Sequence, residues 1–108
     1  MRIFVICSKS FYKNIPPIKE NLEQMGHVIE LPNSYYQLDA EKNAWALGSE
    51  EHTKFKSKML KMSAERMGRM DAVLTLNFDK DGKKNYIGGA TFLELYEAFM
   101  QDKKIFLY

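Results

Sequence analysis

The chain has 108 residues, which is enough for one domain with a single core and too few for two. Sixteen lysines and arginines against fourteen aspartates and glutamates leave a net charge of +2, too close to neutral to indicate a nucleic-acid partner. The single cysteine, Cys7, excludes an intramolecular disulfide, and two histidines without a second thiol do not make a structural zinc site.

The first predicted strand covers residues 2–7, a nearly continuous run of β-branched and aromatic residues. Such a run is typical of a central parallel strand that is covered on both faces. It is far shorter than a signal-peptide core or a membrane span and lacks a small-residue cleavage site. We therefore expect neither export nor a membrane partner, and a reducing cytoplasm suits a protein with one free thiol.

The next segment predicts a helix and then a second strand. Asn14 is expected to cap the helix, Pro16 and Pro17 suit its first turn, and Gly26 ends it. Its buried face is expected to hold Ile18, Leu22 and Met25. Residues 27–31 then form the second strand and complete a right-handed crossover.

The middle of the chain predicts a loop or lid followed by a long helix. Residues 35–48 sustain no period, whereas Ser49 is expected to cap a helix that ends near Gly68. The predicted buried side of this helix is Phe55, Met59, Met62 and Met67. Its basic residues are Lys54, Lys56, Lys58, Lys61, Arg66 and Arg69. They spread around the helix without an aromatic platform, which predicts a solvated face and no nucleic-acid partner.

The last third of the chain predicts a strand, a polar loop, a helix and a closing strand. The strands are residues 71–76 and 104–108. The helical stripe that we expect to pack on the sheet is Phe92, Leu95, Tyr96, Phe99 and Met100. Four strands alternating with three helices predict a three-layer α/β domain that spans residues 1–108.

Glu94 is the candidate catalytic residue. It follows a polar, glycine-bearing loop at the carboxyl end of a predicted strand, where open α/β sheets bind ligands. A carboxylate in the first helical turn would be held ionised by nearby amides and would be a usable nucleophile. The alternative is a capping box from Thr91 to Glu94, in which Glu94 only accepts a backbone amide. The spacing alone leaves both interpretations open.

The residues around these strand ends are candidates for substrate binding. Gly88 and Gly89 would let a ligand approach the backbone closely, and the Ser8 hydroxyl could bind a phosphate or a sugar. Both features are also explained as ordinary turn residues. The other candidates, at neighbouring positions, are Cys7, Asn77 and Thr91. No residue pattern near Cys7 indicates a depressed pKa, so we interpret it as a small buried side chain.

Several short motifs resemble the nucleoside 2-deoxyribosyltransferase superfamily, in particular its small members. They are Leu76-Asn77, the Lys-Asn-Tyr-Ile-Gly-Gly run at residues 84–89, Thr-Phe-Leu-Glu at residues 91–94, and Lys-Lys-Ile-Phe-Leu at residues 103–107. Cys7-Ser8, Gly26-His27-Val28 and Leu31-Pro32 also match that group. The resemblance therefore covers most of the chain.

This resemblance implies a flavodoxin-like sandwich with a four-stranded parallel sheet in the order 2-1-3-4. It also implies that Glu94 attacks the anomeric carbon of a deoxyribosyl group and expels the base, so that the protein is an N-glycosidase or a deoxyribosyltransferase. The expected ligand is a nucleoside or nucleotide, with no metal or organic cofactor. Relatives of this kind are usually homo-oligomers, and the resemblance implies a dimer.

Three positions differ from the pattern that characterised relatives show. Phe4 stands where a tyrosine is expected to bond the carboxylate, Gly88 where an aspartate or a serine is common, and Tyr96 where a glycine is usual. Ser8 matches a serine that resembles a phosphate ligand, which favours a 5′-monophosphate. The alternative function is a non-catalytic nucleotide-binding module of the same fold, which senses or sequesters its ligand.

Overall fold

The four predicted strands form one parallel sheet in the computed structural model, which describes residues 1–108. They are β1 (Arg2–Ile6), β2 (Val28–Glu30), β3 (Ala72–Thr75) and β4 (Lys104–Leu107). The sheet order is β2-β1-β3-β4 and every pairing is parallel. The structure thus confirms the predicted flavodoxin-like architecture and its strand order.

The chain contains four α-helices. They are α1 (Ile15–Gln24), α2 (Ala40–Ala46), α3 (Ser49–Met67) and α4 (Gly89–Met100). A short 3-10 helix, Lys9–Asn14, leads from β1 into α1. Helix α2 lies in the segment predicted as a loop or lid, where its seven residues are too few to show a period. None of the helices combines the length and apolar character that crossing a membrane requires.

Two apolar clusters hold the layers together, one on each face of the sheet. Alternate residues of β1 point to opposite faces, so Ile3 and Val5 pack on the side of Phe11 and Ile15. Their neighbours Phe4 and Ile6 pack on the other side, against Met67 of α3 and Ala98 of α4. This two-sided burial explains why the sequence of β1 is apolar throughout.

Some of the predicted helix faces and caps are wrong. Met25, the residue that follows α1, is exposed. On α3 the predicted Met67 is buried, but Met62 is exposed, and Ser63 beside it is buried in its place. Asn14 makes no side-chain capping bond. Ser49 is the first residue of α3, and the residue before it is Gly48, whose φ of 119° favours glycine.

Four of the five side chains that were predicted to pack α4 on the sheet are exposed, and only Leu95 packs there. Thr91 and Ala98 are the buried residues, and Leu95 is partly buried. The small side chains of Thr91 and Ala98 let α4 approach the sheet closely. The larger side chains Phe92, Tyr96, Phe99 and Met100 point away from the sheet and are exposed.

Candidate functional site

A cavity of about 410 Å³ opens at the carboxyl end of the sheet. Five segments line it: the end of β1 with the 3-10 helix, the loop after β2, helix α2, helix α3, and the start of α4 with the loop before it. Its volume falls in the range of small-molecule sites, and its place is where parallel α/β sheets bind ligands.

The structure brings six of the seven predicted site residues together in this cavity. They are Cys7, Ser8, Gly88, Gly89, Thr91 and Glu94. The lining does not include Asn77, whose backbone amide donates a hydrogen bond to the Tyr108 carbonyl at 3.2 Å. That bond continues the pairing of β3 with β4 toward the edge of the sheet, away from the cavity.

A chain of hydrogen bonds ends at the Glu94 carboxylate. The Ser63 hydroxyl donates to Glu94 Oε2 at 2.6 Å, and Asn33 Nδ2 donates to Ser63 Oγ at 2.7 Å. Arg66 Nη1 in turn donates to Asn33 Oδ1 at 2.6 Å. Because Asn33 occupies an acceptor position of the serine, the hydroxyl proton of Ser63 is directed at the carboxylate.

Arg66 fixes this chain of bonds to the sheet. Its Nη2 donates to the Leu31 carbonyl at 2.8 Å and lies 3.4 Å from a Glu30 carboxylate oxygen. The guanidinium carbon lies 4.3 Å from the centre of the Phe4 ring, in a cation–π contact. The prediction that Arg66 belongs to a solvated face is therefore wrong. The spacing of Ser63 and Arg66, three residues apart on one helix, was the only sequence signal for this pair.

The capping-box interpretation of Glu94 is wrong. Helix α4 begins at Gly89, so Thr91 is its third residue and Glu94 lies in its second turn. No acidic residue occupies the first turn, and the capping residue Gly88 has no side chain to bond. Glu94 reaches across to Ser63 of α3 instead of back to a backbone amide.

Burial raises the pKa of Glu94 above its ordinary value of 4.5. The hydrogen bond from Ser63 and the charges of Arg66 and Lys56 lower it, but they do not cancel the effect of burial. The amides of the first helical turn were expected to favour the charged form, but Glu94 lies in the second turn, and burial shifts its pKa in the opposite direction. A carboxylate that is more basic than usual is a stronger nucleophile and proton acceptor once it is ionised.

Cys7 is a protonated thiol in the wall of the cavity. Burial, and secondarily the charge of Glu94, raises its pKa to about 12. The side chain is buried in the cluster that also contains Phe11 and Ile15. It therefore acts as a small apolar group there, as its sequence context predicted.

Hydrogen-bond donors gather at the end of the cavity nearest the start of α4. Lys80 Nζ donates to Ser8 Oγ at 3.3 Å and lies 4.7 Å from the centre of the Tyr86 ring. The Ser10 amide also donates to Ser8 Oγ, at 3.4 Å. Gly88 and Gly89 bring the amino end of α4 to the same cavity, where its first amides have no partner within the helix. These donors and the helix dipole form a site suited to an anion.

Helix α2 borders the cavity and is held there by Glu41. One carboxylate oxygen lies 3.0 Å from both Lys56 Nζ and His52 Nε2, and the other lies 3.6 Å from Lys9 Nζ. The Trp45 ring stacks on His52 with 3.8 Å between ring centres. Partial burial raises the pKa of Glu41, but its bonds and neighbouring positive charges outweigh this and lower it to about 2. The carboxylate is ionised at neutral pH and fastens α2 to α3.

The chain offers no group of three or more histidine, cysteine, aspartate or glutamate side chains placed to hold a metal ion. Comparison with protein-family models, with curated proteins and with solved structures finds no match to this chain.

Replacing Glu94 with glutamine is expected to stabilise the protein at pH 7. The pKa of Glu94 is higher in the folded than in the unfolded chain, so its favourable contribution is complete below pH 4.5 and is lost as pH rises through the folded pKa. Glutamine resembles the protonated form and keeps an acceptor for Ser63. The gain in the free energy of unfolding, measured in urea, should shrink as the pH falls toward 4.

Glu50→Gln is the matched control, because the Glu50 side chain is 85% exposed on the first turn of α3. It should change stability little at either pH. A Glu94→Gln variant whose pH dependence equals that of the wild type would contradict the assignment of the raised pKa to Glu94.

Proposed function

We propose that the protein binds a nucleoside or nucleotide in this cavity and cleaves or transfers its N-glycosidic bond, with Glu94 as the nucleophile. The observation that carries the proposal is the geometry of the Glu94 carboxylate. One oxygen accepts the Ser63 hydroxyl, while the residue lines an open cavity at the end of the sheet. The motif resemblance to the nucleoside 2-deoxyribosyltransferase superfamily gives this carboxylate its proposed chemistry.

The proposed reaction has two steps. Glu94 Oε1 forms a bond to the anomeric carbon as the carbon–nitrogen bond breaks, and the leaving base takes the electron pair and a proton from water. Water or a second base then attacks the same carbon and releases the carboxylate. The Ser63 bond to Oε2 leaves Oε1 available for attack and holds the carboxylate in one orientation.

Ser63 is the proposed positioning residue of the reaction. The resemblance implies a tyrosine hydroxyl on the first strand as the hydrogen-bond donor to the nucleophile. Phe4 has no hydroxyl, and its ring instead supports Arg66, from which the bonds to Asn33, Ser63 and Glu94 begin. A donor from α3 thus takes the place of a donor from β1.

The favoured ligand is a nucleoside 5′-monophosphate. Lys80, Ser8 and the first amides of α4 would bind the phosphate, since a charged amine and helix-terminal amides both favour an anion. Lys9 and Lys56 add positive charge to the lining, although Glu41 partly neutralises them. We also propose that the active form is a homodimer.

A second candidate function is a nucleotide-binding module without catalysis. The raised pKa of Glu94 favours the protonated carboxyl group, which is a poor nucleophile. Gly88, in addition, offers no side chain at a position where characterised relatives carry an aspartate or a serine. Both functions use the same cavity and differ in whether base is released.

Incubation with a panel of nucleosides and 5′-monophosphates tests the two functions, with bound ligand and free base measured separately. Wild-type protein is expected to release base from one of them. Glu94→Gln should lower turnover by about 10³-fold or more while ligand binding and folding persist. The matched control is Glu97→Gln on the same helix. The Glu97 carboxylate accepts a hydrogen bond from the Gln101 side chain and does not line the cavity.

An active Glu94→Gln variant would exclude the glutamate mechanism. Binding without release of base from any ligand would favour the module. A protein that binds no member of the panel would contradict both functions.

Removing the Ser63 hydroxyl tests its positioning role. Ser63→Ala is expected to lower kcat by roughly 10- to 100-fold, the value of a hydrogen bond to a charged group. The Ser63 bond lowers the pKa of Glu94, so its loss should move the acidic limb of the pH–rate profile to higher pH. Ser63→Thr, which keeps a hydroxyl, should recover part of both effects. An unmoved acidic limb would show that Ser63 serves structure alone.

Lys80 tests the preference for a phosphate. Lys80→Met is expected to weaken the binding of 5′-monophosphates by about 10-fold or more and to leave nucleoside binding nearly unchanged. Lys84→Met, at an exposed position in the same loop, is the matched control. Equal losses for nucleosides and monophosphates would place the phosphate elsewhere.

A further inference from the structure

Gly88 has no side chain, and the hydroxyl group of Tyr86 occupies the space where one would lie. A Cβ atom at position 88 would come within 3.3 Å of Tyr86 Oη and within 3.7 Å of the ring carbon Cε1. The first distance is shorter than an ordinary van der Waals contact, so a side chain here would have to displace the hydroxyl. At Gly89, by contrast, a Cβ atom would meet nothing within 4 Å.

The backbone conformation of Gly88 does not explain why this residue is a glycine. Its φ of −74° and ψ of 168° are extended values that any residue adopts. Gly88 also caps helix α4, and serine, threonine, aspartate and asparagine are at least as favourable as glycine at a capping position. The space that Tyr86 fills is therefore the structural reason for a glycine here.

The ring of Tyr86 is fixed by packing, whereas its hydroxyl has no partner in the protein. The ring packs on the apolar cluster that contains Phe11, with 6.4 Å between the two ring centres. The Tyr86 amide donates to the Phe78 carbonyl at 2.9 Å. No protein group forms a hydrogen bond with Tyr86 Oη. Because a partly buried tyrosine hydroxyl usually has a partner, this one is an oriented donor that is free for a ligand.

The free hydroxyl belongs to the part of the cavity that favours an anion. Tyr86, Lys80 and Ser8 all line the cavity, and Gly88 is the residue that precedes α4. The Lys80 amine lies 4.7 Å from the centre of the Tyr86 ring and 3.3 Å from Ser8 Oγ, so it connects the tyrosine to the serine. A phosphate bound there would accept hydrogen bonds from a charged amine and from neutral hydroxyls together.

We propose that the Tyr86 hydroxyl donates a hydrogen bond to the phosphate of the bound ligand, and that position 88 is a glycine so that the hydroxyl can lie there. The inference rests on the proposed function for the identity of the ligand, and it adds a donor to those of Lys80 and Ser8. It also changes the expected role of Gly88. The group that approaches its backbone closely is a side chain of the protein itself, whereas Gly89 stays open to a ligand.

Binding of deoxyribose 5′-phosphate, measured by isothermal titration calorimetry, tests the proposal with a probe that has no base to release. Tyr86→Phe keeps the ring and should weaken the binding of this probe and of 5′-monophosphates by about 10-fold, with nucleosides nearly unaffected. Gly88→Ala should also weaken binding, because its Cβ displaces the hydroxyl. Tyr36→Phe is the matched control, because Tyr36 is 84% exposed and does not line the cavity.

A second measurement tests the competition for space without any ligand. Gly88→Ala is made in the wild-type chain and in the Tyr86→Phe variant, and the midpoint of urea unfolding is compared. The alanine should lower the midpoint more in the chain that has the hydroxyl, because the hydroxyl makes the shortest contact with the added Cβ. Equal shifts in the two chains would overturn the inference.

The binding results are decisive in the same way. The inference is overturned if the wild type does not bind deoxyribose 5′-phosphate, or if Tyr86→Phe binds it as the wild type does. Equal losses for nucleosides and 5′-monophosphates would also overturn it, because they would place the hydroxyl on the sugar. A protein that binds the probe through Tyr86 but releases no base from any nucleotide would support the inference and contradict the glycosidase function.

Discussion

Arg66 connects the sheet to the candidate site. A guanidinium taken out of water is costly unless its donors are satisfied, and here it meets the Leu31 carbonyl, Asn33, Glu30 and the face of Phe4. These contacts join β1, the end of β2 and helix α3 at one point. The same side chain fixes the hydrogen bonds that reach Glu94. The packing of these elements and the orientation of the Glu94 carboxylate therefore both depend on the Arg66 guanidinium.

Sequence patterns recovered the sheet because each strand is a short apolar run and right-handed crossovers leave few possible strand orders. Helix α2 escaped prediction because its seven residues carry no period. The apolar residues of α4 were identified, but four of the five are exposed and only Leu95 packs on the sheet. Spacing shows which residues share a side of a helix, whereas only packing decides which side meets the sheet. The residues of α4 that are buried against the sheet are the small Ala98 and Thr91, and small residues contribute little to a hydrophobic pattern.

The site was predicted in part. Glu94 and the glycine pair stood out because they follow a strand and open a helix, a position that topology alone associates with ligands. The bonds from Asn33 and Ser63 could not be predicted in this way. They come from a loop and a helix that are separated from each other by 30 residues in sequence, and they belong to no short motif. Side chains that act only through tertiary contact leave no local signal.

Trp45 is the only tryptophan of the chain, and it stacks on His52 at the outer end of α2. An imidazole in face contact with an indole quenches its fluorescence, most strongly when the imidazole is charged. With excitation at wavelengths that the six tyrosines do not absorb, the emission originates from a single residue on the helix that borders the cavity. Any displacement of α2 that separates the two rings changes the intensity of that emission. The native chain thus contains an optical reporter of its own cavity wall and needs no added label.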